Sequence, residues 1–513
     1  MSEGRPPTAV VGWTAVALVL RLGLIGRGLP VLDRLFIPDD TWYTLSIARN
    51  LAAGLGPTAD GLVLTSGFQP LLAWLQVPLF WCLPSPEAVV LATLVILSCA
   101  DAAVAGLLGW LAAGAAGVRA GWAAAALWAL SPFGVAHALG GLETSLALAL
   151  SLALVLAWTG ARSLRGWAGV GLLCGLCLLA RIDTALLVGG LGLCALAQRR
   201  WAPLATAVAV ALVVVAPWWG WCWAVLGSPV PESGPAVLAI VAGHRSEWLT
   251  TTTALAWATG NVVGAPSFDA VGLRGWLDLR EGLAWVAAAG TGVALLGGGA
   301  WVARQAGQAR VALLALTAHG AALFAFYGLH LQAVWFFRRY LAPTQVLATL
   351  VLAVAWARLG PGLAARAVLA VALTFGAMRI GLLAIVTPAG SFDAGHDGIK
   401  GYLGPAAQVW EALPGDAVVG GLQTGALSWT APAGARVVNL DGVVDGASAQ
   451  AFAEGSLARL ARSRGVTHLA DWTLNLEDIR DRWGEPLVLS SLEEVPLPGP
   501  LAPMPMRVVA LPP

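Results

Sequence analysis

Long apolar runs recur along this 513-residue chain, and they constrain its fold more than any other feature. An α-helix needs about 20 mostly apolar residues to span a bilayer. The composition agrees, because 58% of the residues are hydrophobic, 11% are charged and the mean hydropathy is +0.77. Such values do not suit a soluble globular chain. We count about eleven candidate spans, at residues 9–28, 87–112, 120–139, 144–160, 166–180, 184–198, 203–226, 282–303, 311–327, 341–357 and 367–386.

The distribution of arginine predicts how these spans are oriented. The apolar stretch 69–83 is short, is bounded by proline and contains Trp74 and Trp81, which is typical of an interfacial helix. If this stretch does not cross, the connections on one side of the membrane are rich in arginine and carry a single acid, Glu3. The positive-inside rule then places the N-terminus in the cytoplasm and the C-terminal region outside. The arginines of that side are Arg5, Arg119, Arg162, Arg165, Arg199, Arg200, Arg304, Arg310, Arg358 and Arg366.

An acidic pair opens the helix that we predict in the first outer loop, residues 29–86. Asp39 and Asp40 precede an amphipathic segment, Thr41 to Ala53, which we expect to lie along the membrane interface. Asp40 is placed to cap this helix. Neighbouring carboxylates at a membrane face serve as a general base, a metal site or a capping pair, and their spacing alone does not separate these roles.

Basic side chains on the same face supply the complementary charge. His244 and Arg245 lie in the long outer loop 227–281, and Arg338 and Arg339 stand at the start of the tenth span. Carboxylates and cations together suit a reaction on a phosphate-linked lipid, in which a hydroxyl loses a proton and a phosphate departs. Arg338 and Arg339 are explained equally well as two arginines whose side chains snorkel to the membrane interface.

Three further charged residues lie on the predicted outer face. Arg181 and Asp183 are spaced for a local ion pair at a helix end, and Glu143 is placed to cap the fourth span. Asp101 lies within a predicted span, where an acid is expected to have a partner on another helix.

The sequence changes character near residue 391, where charged residues increase and short alternating elements begin. We therefore divide the chain into a membrane module, residues 1–390, and an outer α/β domain, residues 391–513, which ends in a proline-rich tail. Asn439, Asp441 and Asp445 lie at the end of a strand of this domain that we predict near 436–440. They suit sugar hydroxyls or a calcium ion, or act as a turn cap. The other predicted elements are strands near 417–420 and 468–470 and helices near 406–413 and 447–464.

Taken together, these residues resemble the GT-C fold glycosyltransferases that use a polyprenyl-phosphate-linked sugar. Within that superfamily the chain is most similar to bacterial arabinofuranosyltransferases, which show an Asp-Asp pair and an Ala-Arg-Asn-Leu-Ala helix in the first outer loop. The matching motifs span most of the chain. They are PDDTWY at 38–43, ARNLAAGLG at 48–56, TSGFQPLLAW at 65–74, GLETS at 141–145, ARID at 180–183, GSPVPESG at 227–234, RRYLAP at 338–343 and VVNLDGVVD at 437–445.

The resemblance implies a role for each charged motif. It makes Asp39 the catalytic base, with Asp40 orienting the acceptor or helping to hold a divalent cation (Mg, Mn or Ca). The donor phosphate would be bound by Arg338, Arg339, Arg245 and His244. Further site candidates from the matching motifs are Tyr43, Glu143, Arg181, Asp183 and Glu232.

The implied reaction is a single inverting displacement that moves a sugar from a polyprenyl-phosphate donor to a hydroxyl of a glycan, lipid or protein acceptor. It would take place on the outer face of the bacterial cytoplasmic membrane. The chain lacks a Walker loop, a GxGxxG turn and an HExxH pair, which disfavours nucleotide-driven transport and zinc hydrolysis. Its net charge of +1 gives no indication of nucleic-acid binding. Two alternatives stay open, a transporter or flippase of a lipid-linked glycan and a non-catalytic envelope scaffold.

Overall fold

The computed structural model describes residues 7–244, 250–263, 281–360, 362–385, 401–497 and 506–512. Helices predominate in these residues. They are α1 Thr8–Ile25, α2 Leu29–Leu35, α3 Asp39–Ala52, α4 Pro70–Cys82, α5 Pro86–Ala116, α6 Val118–Ala129, α7 Pro132–Leu139, α8 Thr144–Gly160, α9 Leu164–Ala180, α10 Ala185–Ala197, α11 Trp201–Leu226, α12 Ser233–His244, α13 Thr251–Val263, α14 Glu281–Gln305, α15 Arg310–Phe326, α16 Phe337–Tyr340, α17 Ala342–Arg358, α18 Leu363–Ile385, α19 Leu403–Ala412, α20 Gly425–Thr430, α21 Gly446–Glu454, α22 Leu457–Arg464 and α23 Thr473–Asp481.

The long apolar helices identify a membrane protein. In the described part of the chain, six helices are long and apolar enough to cross a bilayer, or up to eight if each of two bent helix pairs forms one span. The bends are 56° between α6 and α7 and 53° between the segment Val334–Tyr340 and α17. Three other predicted spans coincide with the shorter helices α8, α9 and α10. The count of eleven spans therefore stays a prediction, whereas the membrane location is supported by length and composition.

The first outer loop contains a helix, α4, where the sequence predicts an interfacial one. Helix α4 has 13 residues and includes Pro78, so it is shorter than the roughly 20 residues that span a bilayer, and its interfacial position stays a prediction. It packs against α3, which carries the acidic pair at its N-terminal end. The loop thus lays two helices, α3 and α4, beside the membrane module.

The described residues of the predicted C-terminal domain, 401–497 and 506–512, contain a four-stranded sheet, and we keep the name C-terminal domain for this region. Its strands are β1 Val418–Gly421, β2 Arg436–Asn439, β3 His468–Trp472 and β4 Met506–Ala510, in the order β2-β1-β3-β4. Strand β1 runs parallel to β2 and β3, and β4 is antiparallel to β3.

Two expectations for this domain need correction. The single helix predicted at 447–464 is split into α21 and α22, because Gly455 adopts a left-handed conformation with φ of 63° and ends the first helix. Strand β4 was not predicted, since its residues follow directly on a proline-rich segment. Residues 498–505 of the predicted tail lie outside the described residues.

An apolar cluster joins the C-terminal domain to the first outer loop. Leu32 and Trp42, both fully buried, belong to the same core cluster as Val419 of β1, Trp429 of α20 and Ala470 of β3. Burial of apolar surface stabilises such a junction by about 25 cal/mol per Å². The domain is therefore packed onto the loop that carries the acidic pair.

A buried ion pair holds the bend between α6 and α7. Arg21 of α1 and Asp101 of α5 are fully buried and lie 2.8 Å apart, and the Trp128 indole N–H donates to the Asp101 carboxylate at 3.1 Å. The Arg21 guanidinium also donates to the backbone carbonyls of Trp128 and Ala129, at the end of α6. The pair thus supplies side-chain donors to carbonyl groups at the bend, where α6 ends.

We predict that Asp101→Leu destabilises the protein strongly, because it leaves the Arg21 charge buried without a partner. The expected loss is about 3–5 kcal/mol, measured as a lower melting temperature of the purified protein in detergent. The double variant Arg21→Met/Asp101→Leu should recover part of this loss. Equal melting temperatures of wild type and Asp101→Leu would contradict a structural role for the pair.

Candidate active site

A cavity of about 340 Å³ lies where the first outer loop, the membrane module and the C-terminal domain meet. Asp39 and Asp40 line it from α3, and Arg338 and Arg339 line it from α16. Asp441, which follows β2, lines it from the C-terminal domain. The structure thus brings together the acidic pair and one of the two predicted basic pairs. These pairs are distant in the sequence, since 299 positions separate Asp40 from Arg339.

Asp39 binds the C-terminal domain directly. Its two carboxylate oxygens accept hydrogen bonds from the backbone N–H groups of Gly425 and Ala426, at 2.8 and 2.9 Å. These groups form the N-terminal end of α20, where negative charge is favoured. Burial raises the pKa of Asp39 to about 7, and the charges of Asp40 and Asp471 raise it further against the lowering effect of the two N–H groups. Asp39 is therefore both a cavity residue and a cross-domain contact.

Asp40 instead faces a cation. Its carboxylate accepts a hydrogen bond from the Arg339 guanidinium at 2.5 Å, and its side chain is 26% exposed. The Arg339 guanidinium stacks on the Phe336 ring, 4.5 Å from its centroid, and lies 5.3 Å from the Tyr340 ring centroid. The expectation that Asp40 caps its own helix is wrong, because Pro38 precedes α3 and no side-chain cap is formed.

Arg49, near the other end of α3, holds the opposite end of α20. Its guanidinium donates to the backbone carbonyls of Ser428 and Trp429 at 2.9 and 3.0 Å, and it lies 5.1 Å from the Trp429 ring centroid. A cation is favoured at the carbonyl end of a helix. Helix α3 therefore clamps α20 with a carboxylate at one end and a guanidinium at the other.

Asp33 makes a second contact of the same kind. One of its carboxylate oxygens accepts hydrogen bonds from the backbone N–H groups of Tyr402 and Leu403, at 2.9 and 3.1 Å, at the start of α19. Burial raises the pKa of Asp33 to about 6, against the lowering effect of these bonds. Sequence reasoning missed Asp33 and Arg49, because both act on backbone groups far away in the chain.

Tyr43 connects α3 to the strand ends of the C-terminal domain. Its hydroxyl donates to the Leu422 carbonyl at 3.0 Å and accepts from the Thr424 N–H at 2.8 Å and the Asn439 amide at 3.0 Å. Burial raises the pKa of Tyr43 well above its usual value, so the phenol is neutral. The structure thus places Tyr43 and Asn439 in the domain contact.

Asp441 and Asp445 have different positions. Asp441 lines the cavity, and its carboxylate accepts from the Val443 N–H at 2.8 Å. Burial raises the pKa of Asp441 to about 8, with further contributions from Asp40 and Asp39. Asp445 caps α21 by accepting from the backbone of that helix, which is the turn-cap role left open by its sequence position.

A second charged cluster, centred on Arg181, contacts the same Tyr340 ring as Arg339. Arg181 forms ion pairs with Glu143 and Asp183, both at 2.7 Å, and its guanidinium lies 5.2 Å from the Tyr340 ring centroid. The predicted pair of Arg181 and Asp183 is present. The expected helix cap by Glu143 is wrong, because its side chain makes no capping bond and contacts Arg181 instead. This cluster supports Tyr340, on which Arg339 also rests.

The remaining predicted residues lie in the long outer loop. Glu232 accepts hydrogen bonds from the Thr65 hydroxyl at 2.8 Å and from the Ser66 N–H at 3.1 Å, so it ties this loop to the first one. His244 ends α12, but its side chain is not described, and Arg245 lies outside the described residues. No group of three or more His, Cys, Asp or Glu side chains able to hold a metal ion occurs in the described residues. A cation at Asp39 and Asp40 stays a prediction.

Comparison with solved structures identifies the fold. The apo oligosaccharyltransferase of Archaeoglobus fulgidus gives a TM-score of 0.52 at 14% identity, covering 93% of this chain and 71% of that one. This chain has a GT-C fold. ArnT from Cupriavidus metallidurans bound to undecaprenyl phosphate gives 0.47 at 15% identity, covering 98% of this chain and 97% of that one. The mycobacterial arabinofuranosyltransferase AftD gives 0.43 at 16% identity, covering 98% of this chain and 41% of that one.

No family profile and no curated protein sequence matches the chain. The GT-C fold expected from the motifs is confirmed. At these identities, the structural similarity establishes the fold alone. The activity must be argued from the residues that line the cavity.

We predict that Asp39→Asn weakens the contact between the GT-C membrane module and the C-terminal domain. The amide nitrogen of asparagine cannot accept a backbone N–H, so one charge-assisted hydrogen bond is lost, with an expected cost of about 1.5–3 kcal/mol. The melting temperature in detergent should fall, whereas Asp416→Asn, at an exposed position of the same domain, should leave it unchanged. If both variants melt like wild type, the Asp39 contact does not stabilise the fold.

Proposed function

We propose that this protein is a membrane glycosyltransferase that moves a sugar from a polyprenyl-phosphate donor to an acceptor hydroxyl. One observation carries the proposal: Asp39, Asp40, Arg338 and Arg339 line a single cavity beside the outer-loop helices and the ends of apolar helices. Carboxylates accept a hydroxyl proton, and guanidiniums bind a phosphate in a forked geometry. The predicted orientation puts this cavity on the outer face of the bacterial cytoplasmic membrane.

The chemistry is a single displacement at the anomeric carbon. The acceptor oxygen forms a bond to that carbon while the bond from the carbon to the phosphate oxygen breaks. The acceptor proton moves to a carboxylate, and the polyprenyl phosphate leaves with the bonding electrons. One displacement inverts the configuration at the anomeric carbon.

Asp39 is our first candidate for the base, as the sequence motifs imply. Its pKa of about 7 suits proton transfer near neutral pH. Each carboxylate oxygen has two lone pairs, so the two backbone N–H groups leave acceptor capacity towards the cavity.

Asp40 is the second candidate, on the evidence of its position. It makes no described hydrogen bond to the C-terminal domain, and its side chain is more open to the cavity than the buried Asp39. A phosphate that binds Arg339 would compete for the guanidinium that now pairs with Asp40. Release of the Asp40 carboxylate by the incoming donor would then couple donor binding to base activation.

The arginines are our candidates for holding the leaving group. A monophosphate bound by guanidinium groups does not strictly require a metal, in contrast to a nucleotide diphosphate donor. Arg339 is held by its contacts to Phe336 and Tyr340, so its fork is ordered before the donor binds. A divalent cation at the acidic pair would add charge stabilisation, and chelation tests this directly.

The alternatives gain less support from the described residues. A flippase would use an acid near the middle of the membrane that changes partners during transport. Asp101 is instead fully buried against Arg21 and Trp128, in a network that holds the bend between α6 and α7. A scaffold without activity would not need the acidic and basic pairs to line one cavity.

We predict that the purified protein transfers a radiolabelled sugar from at least one polyprenyl-phosphate donor. Loss of the base should lower the rate of transfer by about 10² to 10⁴-fold. The variant that shows this loss, Asp39→Asn or Asp40→Asn, identifies which carboxylate is the base.

Arg339→Lys keeps the positive charge but loses the forked guanidinium, and it should raise KM for the donor. Transfer measured with and without a chelator decides whether a metal ion is required. A folded wild type without turnover on any donor would overturn the proposal.

The pH dependence offers an independent test of the Asp39 assignment. A base must be ionised, and the pKa of Asp39 is raised to about 7, so kcat/KM should fall as the pH drops below about 7. The pKa of Asp441 is raised further, to about 8. The variant Asp441→Asn removes the contribution of this group to the pH dependence of kcat/KM. If that variant and wild type both show constant kcat/KM down to pH 5, Asp39 does not act as the base.

A further inference from the structure

His137 lines the cavity without a role in the reaction described above. It lies on α7, the short helix that follows the bend at Leu130 and Ser131, and its residue exposure is only 4%. Most buried polar atoms have hydrogen-bond partners, so we ask of each ring nitrogen of His137 whether it is paired or faces the cavity.

The hydrogen bonds of Gln345 determine which ring nitrogen of His137 carries the proton. The Gln345 amide nitrogen donates to two backbone carbonyls, those of Asn261 at 3.2 Å and Arg338 at 3.1 Å. A carbonyl only accepts, so the orientation of the Gln345 amide is determined. The Gln345 carbonyl oxygen then lies 2.9 Å from Nε2 of His137. Nε2 must therefore carry the hydrogen.

Nδ1 of His137 is left with a lone pair that opens on the cavity. In a neutral imidazole, protonation at Nε2 makes Nδ1 an acceptor. No described group donates a hydrogen bond to Nδ1. This nitrogen is also not one of the fully buried atoms that lack a partner, so it is accessible from the cavity that His137 lines. No described carboxylate pairs with the ring, and a buried imidazolium without such a partner would be unfavourable. The ring thus offers a fixed acceptor to whatever fills the cavity.

We propose that His137 is a substrate-binding residue whose Nδ1 accepts a hydrogen bond from a hydroxyl of a bound sugar. This inference rests on the proposed function, in which the cavity holds sugar hydroxyls beside Asp39 and Asp40. The hydroxyl belongs either to the donor sugar or to the acceptor, and both present the same chemistry. Gln345 acts through His137 by holding its tautomer.

Two substitutions of His137 separate its two ring nitrogens. Glutamine places its amide near the position of Nε2, so His137→Gln keeps the contact to Gln345 and loses the acceptor in the cavity. Asparagine places its carbonyl oxygen near the position of Nδ1, so His137→Asn keeps the acceptor. Loss of one hydrogen bond to substrate should raise KM about five- to tenfold in His137→Gln, and His137→Asn should recover most of this.

The kinetics also report which substrate His137 contacts. KM rises for the donor if the hydroxyl belongs to the donor sugar, and for the acceptor if it belongs to the acceptor, while kcat changes less. Gln345→Met should reproduce the effect of His137→Gln, and the double variant should be no worse than either. His468→Gln, on strand β3 outside the cavity, serves as the matched control.

Three results would overturn the inference in a wild type that transfers sugar. In the first, His137→Gln keeps both KM values. In the second, His137→Asn is no better than His137→Gln and both melt at lower temperature, as expected for a purely structural ring. In the third, nitrogen-15 NMR of ring-labelled wild type shows His137 protonated at Nδ1. A wild type that transfers nothing refutes the proposed function instead, and the NMR measurement still decides the tautomer.

Discussion

A short helix of the C-terminal domain, α20, is held at both ends by one helix of the first outer loop. Asp39 accepts from its first N–H groups, and Arg49 donates to its last carbonyls. Each charge is placed where the helix dipole favours it. Asp33 repeats the arrangement at the start of α19. Because one wall of the cavity comes from this domain, the cavity is complete only while these contacts hold.

The acidic side chains of the site divide into two groups by what they contact. Asp33 and Asp39 bind backbone N–H groups across the domain boundary, whereas Asp40 pairs with Arg339. The same helix α3 therefore provides both the attachment of the C-terminal domain and the charged group that faces the basic pair. A change at the start of α3 is therefore expected to affect both the attachment of the C-terminal domain and the charge that faces the basic pair.

Much of the fold could be predicted from local sequence signals. Apolar runs predicted the long helices, and a short helix, α4, is present in the 69–83 stretch, where its length and prolines favour an interfacial position. The strand at 436–439 was visible in its alternation and turn residues. The number of spans could not be settled this way, because α8, α9 and α10 are apolar but short.

The site was harder to predict, because its contacts join distant parts of the chain. Asp39 and Gly425 are 386 residues apart, and Arg49 and Trp429 are 380 apart. The motifs pointed to Asp39, Asp40 and the arginine pair, since charged residues are rare near apolar spans and their clustering on one side is visible. They did not distinguish a carboxylate that caps its own helix from one that caps a helix in another domain. That distinction requires the packing of α3 against α20.

The dependence of the cavity on this clamp can be measured with Arg49→Met, since Arg49 does not line the cavity. Sugar transfer by the full-length variant should be followed together with amide hydrogen exchange of residues 425–430. We predict that exchange of this helix becomes faster and that transfer falls by about tenfold or more, as misplacement of site groups implies. Faster exchange with transfer at the wild-type rate would contradict the claim that docking of the C-terminal domain completes the site.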